Sequence, residues 1–273
     1  MNILASPWAT GTWQMAAEDK SVGELKSLLA CTKPAGELKC LIHAFGSVDR
    51  CLRCFLRAID GNAAKAAARI ESTLAFRREQ RLDEYTCRAD LEKAFESHPL
   101  RRHLPVAFAG TAPDGTIIQY ARMRSMNMRE LVAASNEGEL RRLVALWLEC
   151  ALQLQGESTR ERGEPCKGTY DVYDMKGTNM WSLLWDAKET RHVIGPVLSM
   201  GEAHFPENLC KCFVINASSL FGAIWKIATP FLSQRTVDKV SISSSVPTEL
   251  VNVLGGPTKV HEMMASVPES SGA

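Results

Sequence analysis

The chain has 273 residues, 45% of them hydrophobic, with 32 Lys+Arg against 31 Asp+Glu and a net charge of +1. That balance argues against a strongly basic nucleic-acid binder and against an acidic solvating tail. At roughly 150 residues per domain the length suggests about two units, long enough to bury a core without disulfide staples.

Residues 1–20 carry Pro7, Gly11 and two Trp with little periodicity, and they read as an irregular N-terminal segment. Residues 22–30 read as a short helix, which Pro34 and Gly36 break. Val48, Leu52, Phe55 and Leu56 recur at helical spacing and predict a helix over 48–58. Asp60-Gly61-Asn62 is a turn and cap signal for the next helix, which runs to about Arg81 on a stripe of Ala63, Ala66, Ala67, Ile70 and Leu74. Residues 21–85 therefore read as a small helical module. Arg88 to His98 is another helix, ended by Pro99.

The period then changes. Leu104 to Ala109, the turn Ala112-Pro-Asp-Gly115 and Thr116 to Arg122 predict a hairpin, with Gly115 free to take a positive φ. Glu137 to Gln155 is the clearest helix, apolar around most of its circumference, with a polar stripe of Arg142, Glu149 and Gln153. Arg160 to Pro165 reads as a charged loop and Gly168 to Met175 as a strand. Two helices follow, Met180 to Trp185 and Glu189 to Ala203. Cys212-Phe-Val-Ile215 has the continuous apolar run of an interior parallel strand. Leu220 to Phe231 is a helix, Val240 to Ser243 a strand, and Thr248 to Leu254 a last helix before Gly255-Gly256. This alternation predicts an α/β domain over 86–257, with a mobile tail over 258–273.

Motifs of common enzyme chemistry are missing: no P-loop, no G-x-G-x-x-G, no G-x-S-x-G elbow, no H-E-x-x-H. Cys51 and Cys54 have metal or redox spacing but sit in a helical pattern with no second Cys or His pair at zinc-finger distance, so they read as structural thiols. Cys210 and Cys212 read likewise, and the nine cysteines as a whole predict reduced thiols in a cytoplasmic protein. The start of the chain lacks the pattern of a secretory signal, and no run is long and apolar enough to predict a membrane-spanning helix. No metal site and no catalytic group are expected. The six histidines are dispersed, and His204, before Phe205-Pro206, is the one placed to serve a Ser or Cys nucleophile if the domain were a small α/β hydrolase.

Several segments together resemble the CRAL-TRIO (Sec14-like) lipid-transfer family. Leu52 to Ala58 and the alanine-rich helix ending Leu74-Ala-Phe-Arg-Arg78 resemble its N-terminal helical module. Asp174-Met-Lys-Gly177 is similar to its D-x-K-G turn, Phe205-Pro-Glu-Asn and Phe213-Val-Ile-Asn-Ala217 to its Y-P-E-x and I-N-A segment. Pro230-Phe-Leu, Thr236 and Lys239-Val resemble P-F-L-x-x-x-T-x-x-K-I, and Leu254-Gly-Gly256 the terminal F-G-G. The motifs fall in the family's order and spacing.

The resemblance implies a helical module followed by an α/β lipid-binding domain, with a mostly parallel sheet flooring an apolar cavity under a mobile helical gate. Two acyl chains in water represent on the order of 25 kcal/mol, at about 0.8 kcal/mol per methylene, so such a ligand calls for a closed dry cavity. Leu220, Phe221, Ile224, Trp225, Ala228 and Phe231 match the gate region, with Trp225 and Phe231 large enough to act at a membrane interface. Glu207, Thr236 and Lys239 match three positions that bind the headgroup in phosphatidylinositol-binding members. Arg57 matches the first Arg of the family's R-A-R-K-F run, while Ile59 stands where the second belongs. Thr169 and Asp171 correspond to the Ser and Thr of the choline-lipid site, Asp171 placing a carboxylate where a neutral hydroxyl is expected.

The expectation is a monomeric lipid-binding protein, not an enzyme, with no cofactor beyond the bound phospholipid. It exchanges phosphatidylinositol between membranes or presents it to lipid kinases, with phosphatidylcholine as the second candidate ligand. It is expected in the cytoplasm, with transient peripheral membrane contact. The alternatives are a carrier of one small hydrophobic molecule of tocopherol or retinoid type, the hydrolase, and an interaction module whose pocket is filled by side chains.

Overall fold

The computed structural model describes residues 11–32, 36–85, 87–126, 128–134 and 136–267. Residues 1–10, 33–35 and 268–273, on which parts of the predicted N-terminal segment, first helix break and tail fall, lie outside that set. Helix α1 spans Gly11–Thr32, so the segment read as irregular is helical from Gly11 onward. Helix α2 (Lys39–Phe45), absent from the sequence reading, is followed by α3 (Val48–Arg57) and α4 (Ala63–Glu79). The caps explain the boundaries. Ser47 accepts from the Arg50 amide and Asn62 from the Lys65 amide, satisfying N–H groups that the first turn cannot pair internally. Helix α5 is Arg88–Glu96.

The hairpin is as predicted. Strands β1 (Val106–Thr111) and β2 (Ile117–Arg122) pair antiparallel, and Gly115 sits in the turn at φ 84°. After α6 (Met128–Ala133), helix α7 (Glu137–Arg162) opens on a capping box between Asn136 and Glu139. It runs seven residues past Gln155, through part of the predicted charged loop. Strand β3 is Thr169–Asp174. The two helices expected next are one, α8 (Met180–His204), which continues through the polar stretch after Trp185 and through Pro196. Strand β4 (Leu209–Ile215), helix α9 (Phe221–Ala228), a 3-10 turn at Thr229–Phe231, the single-turn α10 (Gln234–Val237) and strand β5 (Val240–Ile242) follow. Helices α11 (Thr248–Leu254) and α12 (Pro257–Ala265) end the described chain, so the predicted mobile tail is helical through Ala265.

The sheet order is β1-β2-β3-β4-β5, parallel from β2 onward. Its two faces have different fates because strand side chains alternate. On one face Tyr120, Val172, Phe213 and Ile215 pack on Leu250 and Leu254 of α11 and Val260 and Met263 of α12. Gln119, Asp171, Tyr173 and Cys212 belong to the other face, which is the floor of a cavity.

A second apolar core joins α1 to α5 with α7 and the end of α8, through Leu25, Phe45, Phe55, Ile70, Phe95 and Leu143. The polar stripe read on α7 points into it. Glu149 is 0% exposed and receives two bonds from Arg77 of α4, from Nη1 at 2.7 Å and Nη2 at 2.9 Å. A buried charge is tolerable only when paired in this way. Arg50, also buried, donates to the carbonyls of Phe45 (2.9 Å) and Cys166 (3.2 Å) and to the Gln155 side chain, tying α3 to α7.

Candidate functional site

Between the free face of the sheet and helices α7, α8 and α9 lies a cavity of about 1070 Å³. That is at or above the upper end of small-molecule pockets, which run to about 1,000 Å³. Its walls are mostly apolar: Leu140, Val144, Trp147 and Leu148 from α7, Leu183, Ile194 and Leu198 from α8. A side-chain-filled interaction module does not have such a space.

Of the six gate residues read from the sequence, Phe221, Ile224, Trp225, Ala228 and Phe231 line the cavity. Leu220 does not; it is the residue before the first turn of α9 and packs with Phe221 and Ile224 against Met175 and Val214. The helix read over Leu220 to Phe231 is two pieces, α9 ending at Ala228 and a 3-10 turn that contains Pro230, whose missing N–H cannot continue the α-helical bonding, with Phe231 at its end. Gly195 of α8 faces Phe231 so closely that a Cβ there would lie 2.5 Å from the ring's Cζ.

Glu207, Thr236 and Lys239 come together at one end of the cavity, with Arg235 between them in sequence and beside them in space. Glu207 Oε1 is 3.1 Å from Arg235 Nε and Oε2 is 3.6 Å from Lys239 Nζ. Lys239 also donates to the Leu209 carbonyl at 2.7 Å, which holds the ammonium at the sheet edge. Thr236 is placed by the cap of α10, where Ser233 accepts from its amide at 3.2 Å and donates to its hydroxyl at 3.1 Å. Glu207 itself adopts φ 56°, a left-handed conformation that costs a non-glycine residue on the order of 1–2 kcal/mol. A left-handed residue persists where its surroundings hold it, and here the turn from α8 into β4 carries a carboxylate paired with both Arg235 and Lys239.

Arg235 was not read from the sequence. It donates to the backbone carbonyl of Arg57, whose own guanidinium is held by Glu18 at 2.8 Å. Ile59 is partly buried against the helical core, so its position offers no charge to this end. Arg57, Arg69 and Arg235 line the cavity together with Lys239. Nothing in the motif spacing marks Arg235; only the contact to Arg57 across the fold does.

The second pair read from the sequence is split. Asp171 lines the cavity, but Thr169 is 0% exposed and its hydroxyl donates to the Asn208 carbonyl at 3.2 Å. Thr169 is thus buried within the sheet and is not among the residues that line the cavity. Asp171 has an Oδ1 that is buried and accepts no hydrogen bond. Burial pushes its carboxyl up to about 6, against an opposing pull from the Thr169 hydroxyl. Asp174 makes the contrast: it accepts from Tyr120 Oη (2.8 Å), the Lys176 amide (2.9 Å) and Asn216 Nδ2 (2.8 Å). The Asp of the D-x-K-G turn is a clamp joining β2, β3 and β4.

His204 lies outside the cavity wall. Its ring stacks on Phe76 at 4.2 Å, its Nδ1 is 3.3 Å from the Thr73 hydroxyl, and burial, helped by Arg141 and Arg69, lowers it to about 4. Its recorded partners include no Ser or Cys. Cys51 and Cys54 are both buried and unpaired, burial pushing Cys54 up to about 11 and Cys51 higher still. Among the described residues no helix is long and apolar enough to cross a membrane.

A helical module packed on α7 and α8, and a mostly parallel sheet flooring a large apolar cavity under a short helix, with a charged cluster in the cavity wall, are the architecture of a lipid-binding protein. The chain belongs to the CRAL/TRIO family, whose domain matches residues 101–254. It is similar to "Protein real-time" of Anopheles gambiae, 28% identical over 191 residues that cover 68% of this chain and 26% of the mosquito protein. The chain thus spans about a quarter of that relative's length. It is also similar to the SEC14 cytosolic factor of Eremothecium gossypii, 26% identical over 206 residues, covering 74% of this chain and 64% of the fungal protein. Its fold is like the crystal structure of Sfh5, with a TM-score of 0.59 at 15% identity, covering 94% of this chain and 93% of that one.

Proposed function

We propose that the protein carries phosphatidylinositol, with the acyl chains in the cavity and the inositol phosphate at the Glu207 end, and exchanges it between membranes. The observation that carries this reading is the convergence of Lys239 and Arg235 on Glu207 at the wall of the cavity that Thr236 also lines. Lys239 and Arg235 offer charge to the phosphodiester, Thr236 donates a hydroxyl hydrogen bond to it, and Glu207 accepts from inositol hydroxyls. In the empty state Glu207 holds the cations in place of the phosphate. The role is that of a carrier, with no catalytic step and no cofactor.

Loading requires contact with a bilayer. Trp225 faces the cavity and is half-buried, so it is not the interfacial residue at rest. Trp181 and Trp185, one turn apart at the start of α8, are 61% and 57% exposed. Lys188 Nζ lies 5.0 Å from the Trp185 ring centroid. Indole rings beside a lysine suit a headgroup layer, and this face is assigned to transient membrane contact in the cytoplasm.

The test is mass spectrometry of lipids extracted from the purified protein, together with transfer of labelled phosphatidylinositol between liposomes. Phosphatidylinositol should co-purify, and Lys239→Ala should remove it. Recovery of a tocopherol- or retinoid-like molecule instead, unaffected by Lys239→Ala, would replace the reading.

A further inference from the structure

We infer that Met123, Met126 and Met128 form a modification site: a thioether rim on the cavity that a hydroperoxide oxidises to sulfoxides, loosening helix α9 from its seat. The effect on lipid retention rests on the carrier reading; the chemistry at the rim does not. The three methionines fall within six residues, in the 3-10 turn Met123–Ser125 and up to the first position of α6, and all three line the cavity. Met175, just after β3, lines it too. Four of the chain's ten methionines thus border one cavity, whereas α7 and α8 build their walls from Leu, Ile, Val and Trp.

Met123 and Met128 belong to one apolar cluster with Met175, Met180, and Ile224 and Trp225 of α9. Met126 packs instead against the helical core. The rim therefore joins α9 to the body of the protein through flexible, unbranched side chains, which adapt to cargo of varied shape. Oxidation needs access to the sulfur. The three rim residues are half-buried, while Met200 is 4% exposed and Met263 1%.

The sulfur lone pair attacks the terminal oxygen of the hydroperoxide. An S–O bond forms as the O–O bond breaks, and the proton on the transferred oxygen passes to the leaving oxygen. Sulfur is oxidised and the peroxide reduced, giving a sulfoxide and either water or a lipid alcohol. The sulfoxide is polar where the thioether was apolar. Phe221 and Ile224, in the same cluster, give it no side-chain donor, so it draws in water and parts the rim from α9. Hydrogen peroxide from solution or an oxidised acyl chain carried in the cavity supplies the oxidant. The second reaches the rim already bound, at high effective concentration.

The experiment treats the full chain with hydrogen peroxide or linoleic acid hydroperoxide at equal concentration and maps sulfoxides by peptide mass spectrometry. Hydrogen exchange over 221–231 and retention of labelled phosphatidylinositol are measured alongside. Met264, half-buried on the sheet face away from the cavity, is the internal reference. The rim should oxidise about tenfold or more faster than Met264 with the lipid hydroperoxide. A preference with that oxidant alone assigns the source to bound cargo; a preference with both makes hydrogen peroxide sufficient. Rim oxidation should speed exchange over 221–231 and shorten lipid retention about tenfold. Methionine sulfoxide reductases A and B, one for each epimer, should restore both. The combined Met123→Leu, Met126→Leu and Met128→Leu variant should resist both changes, since its volume is nearly conserved. Repair of the oxidised wild type decides the point where that variant does not fold. Met264 oxidised as fast as the rim by both reagents, or an oxidised rim that leaves exchange unchanged, would overturn the proposal. If the untreated protein retains no phospholipid, the carrier reading falls, and the sulfoxide map with exchange over 221–231 still decides the rim.

Discussion

The ring of Phe231 rests on the backbone of Gly195, in a space that no other residue at position 195 would leave. Both line the cavity, one from the 3-10 turn after α9 and the other from the middle of α8. If α9 and its 3-10 turn open as the sequence motif implies, this contact is the latch that opening must release. Gly195→Ala should force the ring outward. Alanine favours a helix over glycine by about 1 kcal/mol, so unfolding stability should not drop in proportion. The expected result is faster lipid exchange and poorer lipid retention, matched by Phe231→Ala. The double variant should be no worse than Phe231→Ala alone. Additive effects, or slower exchange in Gly195→Ala, would mean that the contact is packing and not a latch.

Arg235 is expected to matter as much as Lys239. It bonds Glu207 at 3.1 Å and also the Arg57 carbonyl, so it connects the helical module to the headgroup end. Charge-assisted bonds of this kind contribute about 1.5–3 kcal/mol each when not exposed. Arg235→Ala should therefore weaken phosphatidylinositol retention by roughly tenfold or more, measured as label remaining after incubation with acceptor liposomes. Arg235→Lys should recover only part, because an ammonium cannot reach both partners with the planar fork of a guanidinium. Full retention in Arg235→Ala would remove it from the site.

These two residues show what was legible in the sequence and what was not. Glu207, Thr236 and Lys239 carry a motif whose spacing survives in one chain, and the cavity wall brings them together. Arg235 lies inside the same motif at a position that spacing leaves open, and Gly195 meets Phe231 across 36 positions; neither leaves a local signal. The α/β alternation was readable because apolar runs and helical stripes differ in period. Helix α8 reads as two in the sequence because the residues after Trp185 are polar, yet a polar stretch without a Gly or Pro breaker does not end a helix. Gly255-Gly256-Pro257 was read as a stop; it ends α11 and starts α12, with Pro257 in the first turn, where its missing N–H costs nothing. Glu149 was placed on a polar stripe, and only the fold reveals that Arg77 waits behind it.

Helix α12 predicts a loss on truncation. Val260 is 7% exposed and Met263 1%, both against the face of the sheet opposite the cavity, and Arg122 donates to the Met264 carbonyl at 2.8 Å. Ending the chain at Gly256 should expose Tyr120, Val172 and Phe213, lower stability and promote aggregation. Met263→Ala should cost about 2–5 kcal/mol in urea unfolding, the range for a buried large-to-small change. An unchanged midpoint in Met263→Ala would show that the helix is not part of the core.

Arg77 and Glu149 form a buried pair that should be sensitive to single replacement and tolerant of double replacement. Both are nearly inaccessible, and Asp83 gives Arg77 a third bond at 2.7 Å. Glu149→Leu alone leaves the buried guanidinium with Asp83 as its remaining carboxylate partner and two of its donors stranded in the helical core, and Arg77→Leu strands the carboxylate. Each should cost about 3–5 kcal/mol, whereas the pair replaced together should lose less than either, since the desolvation of two charges is removed with their attraction. Urea unfolding of the four proteins completes the cycle; a double variant weaker than both singles would show the pair to be net stabilising.

Asp171 and His204 predict opposed pH dependences. Burial raises Asp171 from 3.8 to about 6, so the folded lipid-free protein binds a proton that the unfolded chain releases between those values. Stability from this group is complete below 3.8 and is lost as pH rises through about 6, a difference of about 3 kcal/mol. His204 is lowered from 6.5 to about 4, so its contribution is complete above 6.5 and lost as pH falls through about 4. Between about 4 and 6 the two slopes have opposite signs and partly cancel. Asp171→Asn should unmask the His204 slope, giving a protein more stable than wild type near neutrality that loses stability steeply on acidification. His204→Phe keeps a ring on Phe76 and should instead leave the Asp171 slope, so that mild acid stabilises relative to wild type. Unfolding free energies of the three delipidated proteins across this window decide the matter, because the remaining carboxylates contribute equally to all three. Parallel curves would mean that Asp171 is ionised without penalty, and with that the argument for an unsatisfied acceptor on the cavity floor would fail.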